Sequence, residues 1–141
     1  PGLAGGVGPN NPDQWFQSYQ LVVRTPDHPI TRGLPPVFMH AEDELYSRLR
    51  GPAKNLTVLA TAFSPEDKGG TGRHEPMLMA IDYGRGRVFH TVLGHLIPQC
   101  RSVAFIVTFQ RGAEWAATGQ VTQTVPADFP GPDQPSIREA K

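Results

Sequence analysis

Residues Pro76 to His95 read PMLMAIDYGRGRVFHTVLGH. Met77 to Asp82 and Arg87 to Leu93 are mostly apolar, β-branched or aromatic, and Tyr83-Gly84-Arg85-Gly86 stands between them. Strand, glycine turn, strand is the pattern of a β-hairpin. Gly84-Arg85-Gly86 does not make a dinucleotide fingerprint, which needs a third glycine and must lead from a strand into a helix so that the helix N-terminus meets the pyrophosphate. Here Arg87-Val88-Phe89 opens a second strand.

Upstream of the hairpin, Asn55 to Phe63 (NLTVLATAF) is a nearly continuous apolar run, as in a strand covered on both faces. Between them, Pro65, Gly69, Gly70 and Gly72 make Ser64 to Glu75 a mobile loop or lid, and it lacks the Gly-Lys-Ser/Thr ending of a P-loop. Gln17 to Thr25 (QSYQLVVRT) predicts a strand stopped by Pro26, and the three prolines after Asp27-His28 exclude regular structure through Pro36. Val37 to Arg50 mixes two periods and fits either a short strand or a helical turn.

Downstream, Val103, Ile106, Val107 and Ala113 recur at helical spacing and Glu114-Trp115-Ala116-Ala117 favours a helix, so Cys100 to Ala117 predicts a helix buried against a sheet. Thr118 onward, with Pro126, Pro130, Pro132 and Pro135, predicts an extended Pro-rich tail over 121–141. Glycines, prolines and turn formers in the first thirteen residues predict a flexible lead-in over 1–16, leaving 17–120 for the domain.

At 141 residues the chain holds one domain, with 15 glycines and 15 prolines demanding many loops. Thirteen basic against thirteen acidic side chains produce no net field, which argues against nucleic acid or an anionic membrane as partner. The longest apolar run, Val103 to Phe109, is too short to span a bilayer, so a soluble chain is expected. One cysteine, Cys100, excludes an intrachain disulfide and leaves the compartment open between cytoplasm and periplasm or export.

For chemistry, Glu42-Asp43-Glu44 followed by Leu45-Tyr46 places carboxylates beside a phenol, a set able to hold sugar hydroxyls or act as general base, or else a solvated acidic turn. Of the five histidines, His28, His40, His74, His90 and His95, none forms a local metal signature. Gly94-His95 ends a strand, where open α/β sheets expose functional groups, and His74-Glu75 sits before the hairpin. Cys100 has no nucleophile-elbow glycines, and Asn55-Leu56-Thr57, a formal glycosylation sequon, opens a strand expected to be buried.

In these motifs the chain resembles the ThuA-like family, named for trehalose utilisation and similar to class I glutamine amidotransferases. The match runs from about residue 18 to 126. Asp27-His28-Pro29-Ile30-Thr31-Arg32-Gly33-Leu34, Asp43-Glu44-Leu45-Tyr46, Val58-Leu59-Ala60, Pro76 to His95 and Arg111-Gly112-Ala113-Glu114-Trp115-Ala116-Ala117 carry it.

The resemblance implies an α/β, flavodoxin-like three-layer sandwich, of which this chain is the C-terminal part with a β-hairpin and a closing helix. A half-sheet exposes an edge able to pair with another chain, so a homo-oligomer is expected. It implies carbohydrate catabolism, with a trehalose or keto-sugar derivative as small-molecule partner. Glu44 and His95 are the expected catalytic pair, and Asp43, Tyr46 and His74 the expected substrate-binding residues. No metal ligands are assigned, and the cofactor stays open. Leu96 stands where the family often has an acidic residue after Gly-His, and the amidotransferase cysteine has no counterpart. An enzyme and a non-catalytic sugar-binding or protein-interaction module both remain open.

Overall fold

The structure, a computed structural model, describes residues 16–51 and 53–139. The flexible lead-in therefore falls, except for Phe16, outside the described residues. Five strands form one antiparallel sheet in the order β2-β1-β3-β4-β5: β1 Phe16–Val23, β2 Val37–Glu44, β3 Leu56–Ser64, β4 Arg73–Tyr83 and β5 Gly86–Thr91. One helix, α1 Val103–Thr118, follows a 3-10 turn at Gln99–Arg101.

The hairpin is β4 and β5, with Tyr83 opposite Gly86 across the two-residue turn Gly84-Arg85. Gly84 takes φ +59°, the positive angle that a tight turn matched to strand twist requires at its first position. The ambiguous segment after Pro36 is strand β2 and continues as coil beyond Glu44. In β3 the consecutive residues Leu59, Ala60, Thr61 and Ala62 are all buried, which explains the unbroken apolar run.

β1 meets β3 only through Val22 and Val23, so the sheet splays there. The helix packs on both β2 and β5, the opposite edges of the sheet. A sheet whose two edges reach one helix is curled around it. Val103, Ala104, Val107, Thr108, Arg111, Gly112 and Trp115 are the buried face of α1, the i, i+3/i+4 stripe of an amphipathic helix. They close over Leu21, Phe38, Leu59, Met77 and Leu78. Burying each such side chain stabilises the fold by about 1.5–3 kcal/mol. The helix ends at Gly119, φ +81°, whose N–H donates to the Trp115 carbonyl.

The Pro-rich tail is extended, with no strand or helix among residues 121–139 apart from one bridge, yet it is fastened along its length. Val121, Val125 and Phe129 pack on the core, and the Phe129 ring meets Phe38 edge to face at 5.1 Å. The Met39 N–H donates to the Gly131 carbonyl and the Val103 N–H to that of Ser136. Arg138 pairs with Asp128 at 2.8 Å.

Candidate functional site

The site is built where the chain leaves β5 and meets the end of β2. Two residues of β1 spacing, Gln17 to Tyr19, face three of β2 spacing, Asp43 to His40. This β-bulge inserts an extra residue in β2, so His40 and Asp43, which a regular strand would point to opposite faces, turn inward together. His40 Nε2 lies 2.8 Å from Asp43 Oδ2, and His40 Nδ1 lies 3.0 Å from the Ser102 hydroxyl at the start of α1. All three residues are fully buried.

The Asp43 carboxylate also gathers the corner after β5. The Gly94 N–H donates to Oδ2 at 2.7 Å and the His95 N–H to Oδ1 at 3.2 Å, with the Glu44 N–H donating to Oδ1 at 2.9 Å. Burial by itself would raise the Asp43 pKa, but the His40 hydrogen bond and the Gly94 and His95 amides outweigh it and hold the carboxyl below its ordinary value. Gly94 adopts φ +90°, and a Cβ there would lie 2.8 Å from the Phe105 ring and 3.2 Å from Cys100 Sγ, so only glycine makes this corner.

Held in this way, the His95 ring reaches Glu44 and Tyr46. His95 Nδ1 is 2.9 Å from Glu44 Oε2 and 2.6 Å from the Tyr46 hydroxyl. Phe16 packs edge-on against the same ring at 5.6 Å. His95 is about one-third exposed and Glu44 mostly covered, so the imidazole faces solvent with the carboxylate behind it. Burial, then the Glu44 charge, raises the Tyr46 pKa, so the phenol keeps its proton, and its oxygen is what faces the protonated Nδ1 as acceptor. Nδ1–H donates to Glu44 in the arrangement that suits an ionised carboxylate, which leaves a lone pair on Nε2. Among the described residues Nε2 has no hydrogen-bond partner.

Glu44, Tyr46 and His95 thus come together, and Asp43 lies directly beneath them with its oxygens occupied by protein donors. His74 stands apart from this cluster in its contacts: its Nδ1 is 3.2 Å from the Thr61 hydroxyl and its ring lies against Phe63. Neighbouring Glu75 accepts hydrogen bonds from the Thr71 hydroxyl and the Arg48 N–H, and so ties the glycine loop and the segment after Tyr46 to β4. The glycine loop is itself wound on Ser64, which receives the Gly72 N–H on its carbonyl and the Thr71 N–H on its hydroxyl. Cys100 is partly buried, with its thiol against the Gly94 carbonyl. Among the described residues no group of three or more His, Cys, Asp or Glu side chains is placed to hold a metal ion.

Three residues of this region carried no assignment from sequence. His40 and Ser102 join Asp43, and Tyr19 packs its ring on His40 at 5.4 Å with its buried hydroxyl lacking a partner among the described residues. The signal available was a histidine in the middle of an apolar strand, but the bulge that gives it meaning has no mark in the local pattern.

A curled antiparallel sheet closed by one helix, with a Glu–His–Tyr cluster at the corner after its hairpin, defines a small mixed sheet-and-helix domain. The chain matches the family described as ThuA, trehalose utilisation, over residues 2–116, and it belongs to that family. Among solved structures it is similar to a putative ThuA-like protein from Parabacteroides merdae ATCC 43184, at 45% identity and a TM-score of 0.83, over 88% of this chain and 47% of that one. The chain therefore spans about half the length of that relative. No curated protein matches it.

Proposed function

We propose that this ThuA-family domain binds a small sugar, trehalose or a keto-sugar derived from it, at the Glu44–Tyr46–His95 cluster, and exchanges a proton with one of its hydroxyls there. The observation that carries the reading is the short contact of His95 Nδ1 with Glu44. A carboxylate that takes the Nδ1 proton orients the ring and leaves the Nε2 lone pair as the atom to accept a proton from a hydroxyl or return it. Glu44 works from behind as base partner and hydroxyl acceptor, and Tyr46 supplies a neutral donor. Asp43 enters this reading as the floor beneath the three. A second part of the proposal is that this is the C-terminal part of a flavodoxin-like, class I glutamine amidotransferase-like domain; coverage of 47% of the structural relative supports its being a part of something larger.

Leu96 and Ile97, next to His95, are 52% and 77% exposed. An apolar rim beside the histidine favours the alternative of a sugar-binding or protein-interaction module that performs no reaction. One experiment separates the two. Calorimetric titration of the chain with trehalose and with its 3-keto form should show binding of at least one, weakened about tenfold or more, roughly 1.4 kcal/mol, by Glu44→Gln and by His95→Ala. Chromatography of the same mixtures then reads product. Binding with product supports the enzyme and binding without it the module; no binding of either sugar, or unchanged binding in both variants, overturns the site.

A further inference from the structure

We propose that Ser102, His40 and Asp43 form a buried, proton-ordered chain of hydrogen bonds that positions His95 against Glu44, making all three positioning residues for that pair. The inference rests on the reading of Glu44 and His95 as the working pair for its consequence, but not for its geometry.

The direction of each bond follows from what the atoms can offer. Asp43 receives three backbone N–H groups, from Glu44, Gly94 and His95, so its oxygens act as acceptors and the His40 Nε2 facing Oδ2 must carry a proton. The other ring nitrogen, Nδ1, faces the Ser102 hydroxyl. That hydroxyl oxygen also lies 3.5 Å from the Ala41 N–H, which points a donor at it. With His40 neutral, Ser102 donates to Nδ1, Nε2–H donates to Asp43, and every group is satisfied. With Nδ1 protonated as well, the Ser102 proton would have no acceptor among the described residues. Leaving a buried polar group unsatisfied is costly, so the first arrangement is the one the site selects.

The chain joins three pieces of the molecule: β2 through His40 and Asp43, the residue before α1 through Ser102, and the corner after β5 through the Gly94 and His95 amides. Ser102 is itself pinned by its bridge to Ile137 in the tail. Asp43 grips the backbone of both members of the pair, Glu44 on one side and His95 on the other. A shift of the carboxylate therefore changes the distance between Glu44 Oε2 and His95 Nδ1 directly. The ordinary alternative is that the three residues form a satisfied core network with no effect on the Glu44–His95 contact.

The test uses the full 141-residue chain, labelled with nitrogen-15, and needs no ligand. In the wild type, the His95 ring should carry its proton on Nδ1, held by Glu44, whereas free imidazole prefers Nε2. Ser102→Ala should lose that Nδ1–H signature and move the Gly94 and His95 amide proton signals upfield, and Ser102→Thr should restore both. Val107→Ala, a cavity in the same helix interface, serves as a stability control and should leave the His95 signature in place. A folded Ser102→Ala protein with the wild-type His95 tautomer overturns the proposal, as does an equal loss in Val107→Ala. Should Ser102→Ala fail to fold, the tautomer of His40 in the wild type decides: a proton on Nε2 alone supports the chain, and one on Nδ1 overturns it. Failure of sugar binding would sink the proposed function and leave these signals unchanged, so the two readings fail separately.

Discussion

Four donors converge on the two oxygens of Asp43, and that arithmetic governs how the residue responds to acid. Its carboxyl is held below the ordinary range because the His40 bond and the amides outweigh burial. A group whose pKa is lower folded than unfolded stabilises the protein fully above the unfolded value, and the contribution is lost as pH falls through the folded one. Protonation also puts an O–H where donors already stand. Urea unfolding of the wild type should therefore weaken progressively as pH drops below about 4, the ordinary carboxylate value. Asp43→Asn, which turns one oxygen into a donor facing N–H groups, should cost about 3 kcal/mol at neutral pH and flatten this acid limb. Two curves that stay parallel from neutral to acid pH would show that Asp43 contributes nothing to the pH dependence.

The hairpin and α1 show what elements need from their neighbours. Gly112 lies under the ring of Phe89 on β5, and a Cβ there would overlap three of the ring's carbons. Gly112→Ala should favour the isolated helix by about 1 kcal/mol yet destabilise the protein by about 1–3 kcal/mol through overpacking, a sign reversal that thermal unfolding reads. A stabilised variant would mean that the ring moves freely. The same elements mark how far the sequence was legible. The hairpin, β3 and α1 announce themselves through local chemistry: a glycine turn, an unbroken apolar run, a helical stripe ending in Glu-Trp-Ala-Ala. His95 was nameable as a polar group at a strand end, and Glu44 and Tyr46 as a carboxylate close to a phenol. His40 and Ser102 were not, because their partnership depends on a bulge set by pairing with β1 and on a contact 62 residues apart in sequence. Likewise the anchors Val121, Val125 and Phe129 are too sparse to form a period, and acquire meaning only from the groove they fill.

Across the whole molecule, Arg111 connects the parts that no strand joins. It is 3% exposed, and among the described residues no carboxylate bonds to it. Instead Nε donates to the Ile30 carbonyl, Nη2 to those of Pro29 and Arg32, and Nη1 to that of Gln123. Burial, then the nearby Arg32 charge, lowers its pKa, but a guanidinium stays ionised at any pH the fold survives. The planar fork thus fastens the Pro-rich turn after β1 and the start of the tail to α1. Arg111→Met should cost about 3 kcal/mol or more, since it orphans four carbonyls that had partners. Ending the chain after residue 120 should cost a comparable amount by uncovering Phe38 and the face under Val121 and Val125. The two losses should not add. The deletion already removes Gln123, so the double variant should lose about 1 kcal/mol less than the sum of the single variants, the worth of the one shared bond. Denaturant midpoints for the four proteins of this cycle give the coupling, and full additivity would mean that Arg111 holds the turn alone while the tail is kept in place by its apolar anchors.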